Sequence, residues 1–179
     1  MTLHRFRNNP ILVLDLESRK NIYNVVMANA GSHMREIQRA SGMSFGLVSY
    51  HLSYLAKYNL IKEARDGNHI RYYPITFDIN DERLLALLRQ RSVRTILLFI
   101  LTHEGCSHQE ICSEVHLSPS TITWHLNKLI DGGIVISDKK SNGKTYSLVI
   151  PKERIIKLLI TYRESFLDNL VEGLLTLWE

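Results

Sequence analysis

Apolar residues recur with a helical period at Ile22, Val25 and Val26 and again at Val48, Leu52 and Leu55. Further along, Ile96, Phe99 and Ile100 repeat the first group, and Ile122, Leu126 and Leu129 repeat the second. Spacings of three and four place each group on one face of a helix. The two halves share one register. A shift of 74 residues without a gap carries Ser18 onto Ser92, Gly31 onto Gly105, Glu36 onto Glu110, Ile37 onto Ile111 and Ser44 onto Ser118. It continues through His51 onto His125, Asn68 onto Asn142 and Tyr72 onto Tyr146, and after a three-residue shortening 82–88 aligns with 153–159. The chain is therefore an internal duplication, with units from about 18 to 88 and from about 92 to 159.

Each unit predicts the same elements. A first helix, 18–28 in the first unit, is stopped by Gly31 or Gly105, since glycine accepts the left-handed backbone past a helix end. A short second helix follows around Ile37 and Ala40, or around Ile111 and Val115. Ser44 and Ser118 stand as N-caps of a third helix, with Pro119 at the first helical position of the second copy. The pattern then turns extended. Leu60-Ile61 and Ile134-Val135-Ile136 begin strands that return through Ile70–Tyr73 and Lys144–Leu148, around Asp66-Gly67-Asn68 and Ser141-Asn142-Gly143. Three helices and a hairpin make a winged helix-turn-helix. The expected fold is mainly α with small β-hairpin wings (α+β), two tandem winged helix-turn-helix domains plus a C-terminal helix. The expected boundaries are an N-terminal arm over 1–17, domains over 18–78 and 92–151 joined by a connecting helix over 79–91, and an amphipathic helix over 152–179.

Composition narrows the function classes. The 179 residues are 45% hydrophobic and 22% charged, with a net charge of +4 and two cysteines. The longest apolar run, 96–101, is far short of the ~18 residues a membrane span needs, and 11–14 is too short for a signal-peptide core. A cytoplasmic protein without disulfides is expected. There is no phosphate-binding glycine loop, nucleophile elbow or His-Glu-x-x-His pair, so an enzyme is not expected, nor a cofactor.

The stretches Met34-Arg35-Glu36-Ile37-Gln38-Arg39-Ala40, Val48-Ser49-Tyr50-His51-Leu52 and Ser118-Pro119-Ser120-Thr121-Ile122-Thr123-Trp124-His125-Leu126 resemble archaeal tandem winged helix-turn-helix transcriptional regulators, loosely grouped with the ArsR and MarR types. The resemblance covers the chain from about residue 18 onward. It implies sequence-specific binding of double-stranded DNA and control of transcription, usually as a dimer. The first unit lacks the cysteine pair of the metal-sensing ArsR type.

Projection at 100° per residue turns Gly46, Ser49, Tyr50, Ser53 and Lys57 outward opposite the Val48, Leu52 and Leu55 stripe. In the second unit it turns out Ser120, Thr123, Trp124, Asn127 and Asp131. With the caps Ser44 and Ser118 and the adjacent Thr121, these helices, about 44–58 and 118–130, suit a major groove. In the wings, Arg65, Asn68, His69 and Arg71, then Lys139, Lys140, Asn142 and Lys144, are the phosphate candidates. Charge separates the units. Residues 18–74 hold eight Lys or Arg against three acids, a balance of +5, whereas 92–148 hold five of each. The first unit is expected to bind backbone more strongly.

His51 and His125 flank the buried stripe and are expected to pack at the helix edge and hydrogen-bond the neighbouring chain. Cys106, His108, Cys112 and His116 invite a zinc reading, because steps of four bring the last three near one line of a helix. The plainer alternative is a small buried residue at Cys112, and it is favoured; Cys106, in a turn, is a candidate oxidant sensor. From Pro151 to Glu179 the apolar spacing is helical throughout, and that face is expected to be the homodimer contact, the alternative being that it folds back on its own chain. Competing functions are a winged-helix interaction scaffold that never touches DNA and a metal- or redox-sensing regulator.

Overall fold

The computed structural model describes residues 13–140 and 143–166. The chain divides into two compact units, Met1–Ile79 and Asn80–Glu179. Each is a winged helix-turn-helix.

In the first unit, helix α1 (Glu17–Ala28) buries Ile22 and Val26, one turn apart. Gly31 then takes φ 77°, and its N–H donates to the Tyr72 carbonyl at 2.8 Å. A strand of two residues, β1 (Ser32–His33), leads straight into α2 (Met34–Ser41). The turn after it carries Gly42 at φ 70° and delivers the chain to α3 (Phe45–Lys57), which buries Val48, His51, Leu52 and Leu55. The wing is β2 (Ile61–Asp66) and β3 (His69–Pro74), paired antiparallel from Ile61↔Pro74 to Asp66↔His69. The core joins Ile22, Val26, Ile37, Val48, Leu52, Leu55, Ile61 and Tyr72. Leu52 is fully enclosed there, so truncating it to alanine costs about 2–5 kcal/mol.

The second unit repeats this order with α5 (Arg91–Thr102), β4 (Cys106–Ser107), α6 (His108–Glu114), α7 (Pro119–Asp131), β5 (Val135–Lys140) and β6 (Gly143–Leu148). Gly105 takes φ 78° and donates to the Tyr146 carbonyl at 2.9 Å, the counterpart of the Gly31 bond. The two capping boxes differ in chemistry. Ser107 Oγ accepts from the Glu110 N–H at 3.2 Å while the Ser107 N–H donates to Glu110 Oε2 at 2.6 Å. In the first unit His33 takes the serine's place, its Nδ1 accepting from the Glu36 N–H at 3.4 Å.

The first strand of each unit was not anticipated. It makes both sheets three-stranded, in the orders β1-β3-β2 and β4-β6-β5, so the return strand of each wing is central. Two residues are too few to leave an alternation in the sequence.

Helix α4 (Ile79–Leu88), expected as the first unit's own helix and as a connector, belongs with the second unit. Its residues 84–88 are all buried, and Asp81 accepts from Arg154 Nε on α8 (Lys152–Thr161). The duplicated helices 82–88 and 153–159 thus meet within one unit. The C-terminal helix also departs from expectation. It is not continuous: α8 is capped at Tyr162, and a short turn of helix, α9 (Arg163–Phe166), follows. Ile155, Leu159 and Phe166 are buried within the second unit, where the Arg94 guanidinium lies over the Phe166 ring at 5.0 Å. Residues 167–179 lie outside the described residues, as do 1–12 of the N-terminal arm.

Candidate nucleic-acid interface

The face that α3 leaves uncovered is set by its buried stripe. Ser44 holds the N-cap position with extended backbone, but its hydroxyl makes no capping bond, contrary to expectation. Gly46, Tyr50, Ser53 and Lys57 are exposed and Ser49 is half-buried. A Cβ at Gly46 would meet nothing within 4 Å. Two apolar residues that the sequence reading passed over are exposed in the first turn of α3, Phe45 (55% exposed) and Leu47 (40%), one on each side of Gly46. Leu47 lies off the Val48, Leu52 and Leu55 stripe by the same 100° projection, whereas Phe45 projects close to Leu52 and carries no such signal.

On α7 the first turn is polar. Ser118 Oγ accepts from the Thr121 N–H at 3.2 Å and lies 2.7 Å from Thr121 Oγ1 and 3.0 Å from Ser120 Oγ. Thr123 donates to the Pro119 carbonyl at 2.9 Å, and its Oγ1 is 3.0 Å from His108 Nε2. Ser120, Thr123, Trp124, Asn127 and Asp131 are exposed, and Thr121 is half-buried. The Lys128 ammonium sits 3.7 Å from the centre of the Trp124 ring, a cation–π contact that holds the indole against its own helix.

In the first wing Arg65, Asn68 and His69 are exposed. Arg71 is not, and its candidacy as a phosphate ligand is corrected. It stands on the central strand and points inward, Nη1 donating to the Gly31 carbonyl at 2.8 Å and Nε to Asp66 Oδ2 at 2.6 Å. In the second wing Lys139 and Lys144 are exposed; Asn142 and the side chain of Lys140 lie outside the described residues.

Between α2, the start of α3 and the first wing runs a groove of about 870 Å³, lined by Arg35, Gln38, Arg39, Phe45, Asn68 and His69 among others. The imidazoles of His33 and His69 stack in it with centroids 5.8 Å apart. Burial is the main reason the His33 imidazole titrates below its ordinary range. Arg35 and Arg39 were missed as surface candidates, although their i, i+4 spacing on α2 opposite Ile37 marks them as one outward row.

Burial sharpens the contrast in charge. Three of the first unit's eight basic residues are engaged within the unit: Arg71 and Arg19, both buried, the latter donating to the Val13 carbonyl, and half-buried Lys62, which donates to the Phe77 carbonyl. Lys20, Arg35, Arg39, Lys57 and Arg65 are exposed, against Glu63 as the exposed acid of 18–74. In the second unit Arg94 is buried while Glu104, Glu110, Glu114, Asp131 and Asp138 are all exposed.

His51 and His125 are buried, as the repeat suggested. His51 Nε2 lies 3.0 Å from Ser18 Oγ. Burial, with Arg19 beside His51 and Lys128 beside His125, lowers the titration of both below the usual histidine value. The cysteine expectations reverse. Cys106 is the buried thiol, pushed up to about 11 mainly by burial, and Cys112 is half-buried with its Sγ 3.4 Å from His108 Nδ1. A poorly ionised, enclosed thiol does not suit oxidant sensing. His116 stands past the end of α6 at φ 30°. Among the described residues no three His, Cys, Asp or Glu side chains converge on a position that could hold a metal ion. None of the described helices is long and apolar enough to cross a membrane.

Two family models match the chain. One, described as an N-terminal HTH domain, covers residues 16–85. The other, described as a winged helix-turn-helix DNA-binding domain, covers residues 89–136. An uncharacterized HTH-type transcriptional regulator of Methanocaldococcus jannaschii is 32% identical over 146 residues, which take in 81% of this chain and 36% of that protein. The chain thus spans about a third of the relative's length. The two matched HTH segments fall in tandem on the two winged helix-turn-helix units of the fold.

Proposed function

We propose that this protein is a sequence-specific double-stranded DNA-binding transcriptional regulator. In this reading α3 and α7 enter major grooves while the wings lie along adjacent backbone. The observation that carries it is the surface of the first unit, where Arg35 and Arg39 line a groove with Phe45 at the start of α3, and Lys20, Lys57 and Arg65 are exposed as well, against Glu63 as the exposed acid of 18–74. Phosphate neutralisation supplies much of the affinity of such proteins, so the first unit contributes most of the salt-dependent binding. The second unit, whose acids are exposed, contributes through Ser120, Thr123 and Asn127, whose hydroxyl and amide groups suit base edges. The name of the archaeal relative favours the same reading.

The test is selection of duplexes from a random pool by the full chain, followed by anisotropy titration of the enriched site and of a scrambled duplex at two salt concentrations. Enrichment of one motif with a steep salt dependence is expected. If no duplex binds at modest ionic strength, the regulator reading fails and the interaction scaffold takes its place.

We further infer a homodimer through 152–179. Ile155, Leu158 and Leu159 are used within the second unit, so the contact falls on exposed Ile160 and on the apolar series Leu167, Leu170, Leu174 and Leu177. Sedimentation of a chain ending at Phe166 checks it: a dimer unchanged by the truncation refutes the tail as the contact.

A further inference from the structure

The two recognition helices offer different chemistry at equivalent positions of the repeat. Phe45, Gly46 and Leu47 on α3 correspond to Pro119, Ser120 and Thr121 on α7, and Ser53 corresponds to Asn127. Residues 44–57 contain no Arg, Asn, Gln, Asp or Glu. Apart from Lys57 in its last turn, the helix therefore lacks the side chains that recognise guanine or adenine by paired hydrogen bonds. What it presents instead, at its first turn, is two exposed apolar side chains with an unobstructed glycine between them. Water is a poor solvent for such a surface. The surroundings specify the occupant by charge: Arg35 and Arg39 are exposed on α2 beside Phe45, and Lys57 and Arg65 are exposed on α3 and the wing. An apolar tip inside a cationic frame matches an anionic polymer that carries apolar groups on its readable edge. In the major groove of DNA the one apolar group is the 5-methyl of thymine.

We propose that Phe45 and Leu47 are specificity-determining residues that select thymine through its 5-methyl group. The first unit reads by apolar contact and the second by hydrogen bonding. The assignment rests on the DNA-binding reading above, and the experiment separates the two.

The full chain is titrated with its selected duplex and with a series in which each thymine in turn is replaced by deoxyuridine, which removes the methyl and leaves every hydrogen-bonding group. At one or more positions the replacement is expected to weaken binding about fourfold, the transfer value of one buried methyl. In Phe45→Ala and Leu47→Thr, the latter copying the residue at 121, thymine and deoxyuridine bind alike at those positions, while the scrambled duplex binds as tightly as before. Both side chains are exposed, so the variants fold, and thermal unfolding matched to the parent verifies it. Equal affinity of the parent for thymine and deoxyuridine duplexes overturns the proposal with DNA binding intact. Discrimination that survives both substitutions overturns it too, by placing the methyl contact elsewhere. Failure to bind any duplex removes the regulator reading and this proposal with it.

Discussion

Arg71 Nε donates to Asp66 Oδ2 at 2.6 Å across the first hairpin, and the same guanidinium holds the Gly31 carbonyl at 2.8 Å, so one side chain ties the wing to the turn after α1. Its charge is used inside the unit. Arg71→Ala leaves a buried carbonyl short of its donor and is expected to cost about 1–3 kcal/mol, read as a lower urea midpoint. Arg65, one residue before Asp66 and exposed, should behave in the opposite way. Arg65→Ala changes stability by less than about 0.5 kcal/mol but lowers the slope of log affinity against log salt by about 1. A shallower slope in Arg71→Ala at unchanged stability would return that residue to the phosphate surface.

The backbone predicts a second, internal comparison. Gly42 (φ 70°) and His116 (φ 30°) occupy one left-handed position of the repeat, and Asn59 (φ 55°) and Gly133 (φ 68°) occupy another. Each unit has glycine at one of the two and a side chain at the other. A Cβ in the left-handed region is strained, asparagine being the side chain that tolerates it best. His116→Gly is therefore expected to stabilise by roughly 0.5–1 kcal/mol, net of the entropy glycine adds to the unfolded chain, and Asn59→Gly by less. The reverse changes Gly42→Ala and Gly133→Ala meet no atom within 4 Å, so their cost of about 1 kcal/mol is backbone strain alone. Thermal unfolding of the four variants gives the ranking.

These two cases mark what the sequence carries. The 74-residue repeat places glycines, capping residues and the Val48, Leu52 and Leu55 stripe in register, and local chemistry of that kind reads directly from residue types. Arg71 could not be read in this way, because its direction depends on β3 being a central strand, and that depends on the two-residue β1 pairing at Ser32↔Tyr72 and His33↔Arg71, 40 and 38 positions apart in the chain. The groove is illegible for the same reason: it exists only once Arg35 and Arg39 are folded against Asn68 and His69. Helix α4 carries an apolar run too continuous to name its partner, since residues 84–88 are buried all round. Leu47 is legible as an outward residue, whereas Phe45 projects onto the apolar stripe and only the fold leaves it exposed.

The two thiols should react in an order opposite to their expected exposure. Cys106 pairs with Tyr146 across the central strand, is buried, and titrates near 11, so at pH 8 little of it is thiolate. Cys112 is half-buried on α6. Iodoacetamide at pH 8 followed by peptide mass mapping is expected to label Cys112 at least about tenfold faster, with Cys106 labelled only after denaturant is added. Prior labelling of Cys106 in the folded protein would mean that the β4 turn opens readily.

Stability should fall on the acid side of neutrality because of the paired histidines. His51 and His125 are buried in the third helices, and each has an Nδ1 without a hydrogen-bond partner. Burial depresses their titration in the folded state, with Arg19 and Lys128 adding to it, while the unfolded chain takes up protons near the ordinary value of about 6.5. Below that pH the unfolded state binds more protons than the folded one. Stability is thus fully present above about pH 6.5 and is lost as pH falls toward the depressed values. His33, lowered chiefly by burial, acts in the same direction. The urea midpoint is therefore expected to rise from pH 5 to pH 7. His51→Gln with His125→Gln should flatten that rise while lowering the plateau, since the glutamine amide does not titrate but fits the helix edge less well. An equally steep rise in the double variant would assign the acid sensitivity to His33 or to Glu110, which its capping box holds below the usual carboxylate range.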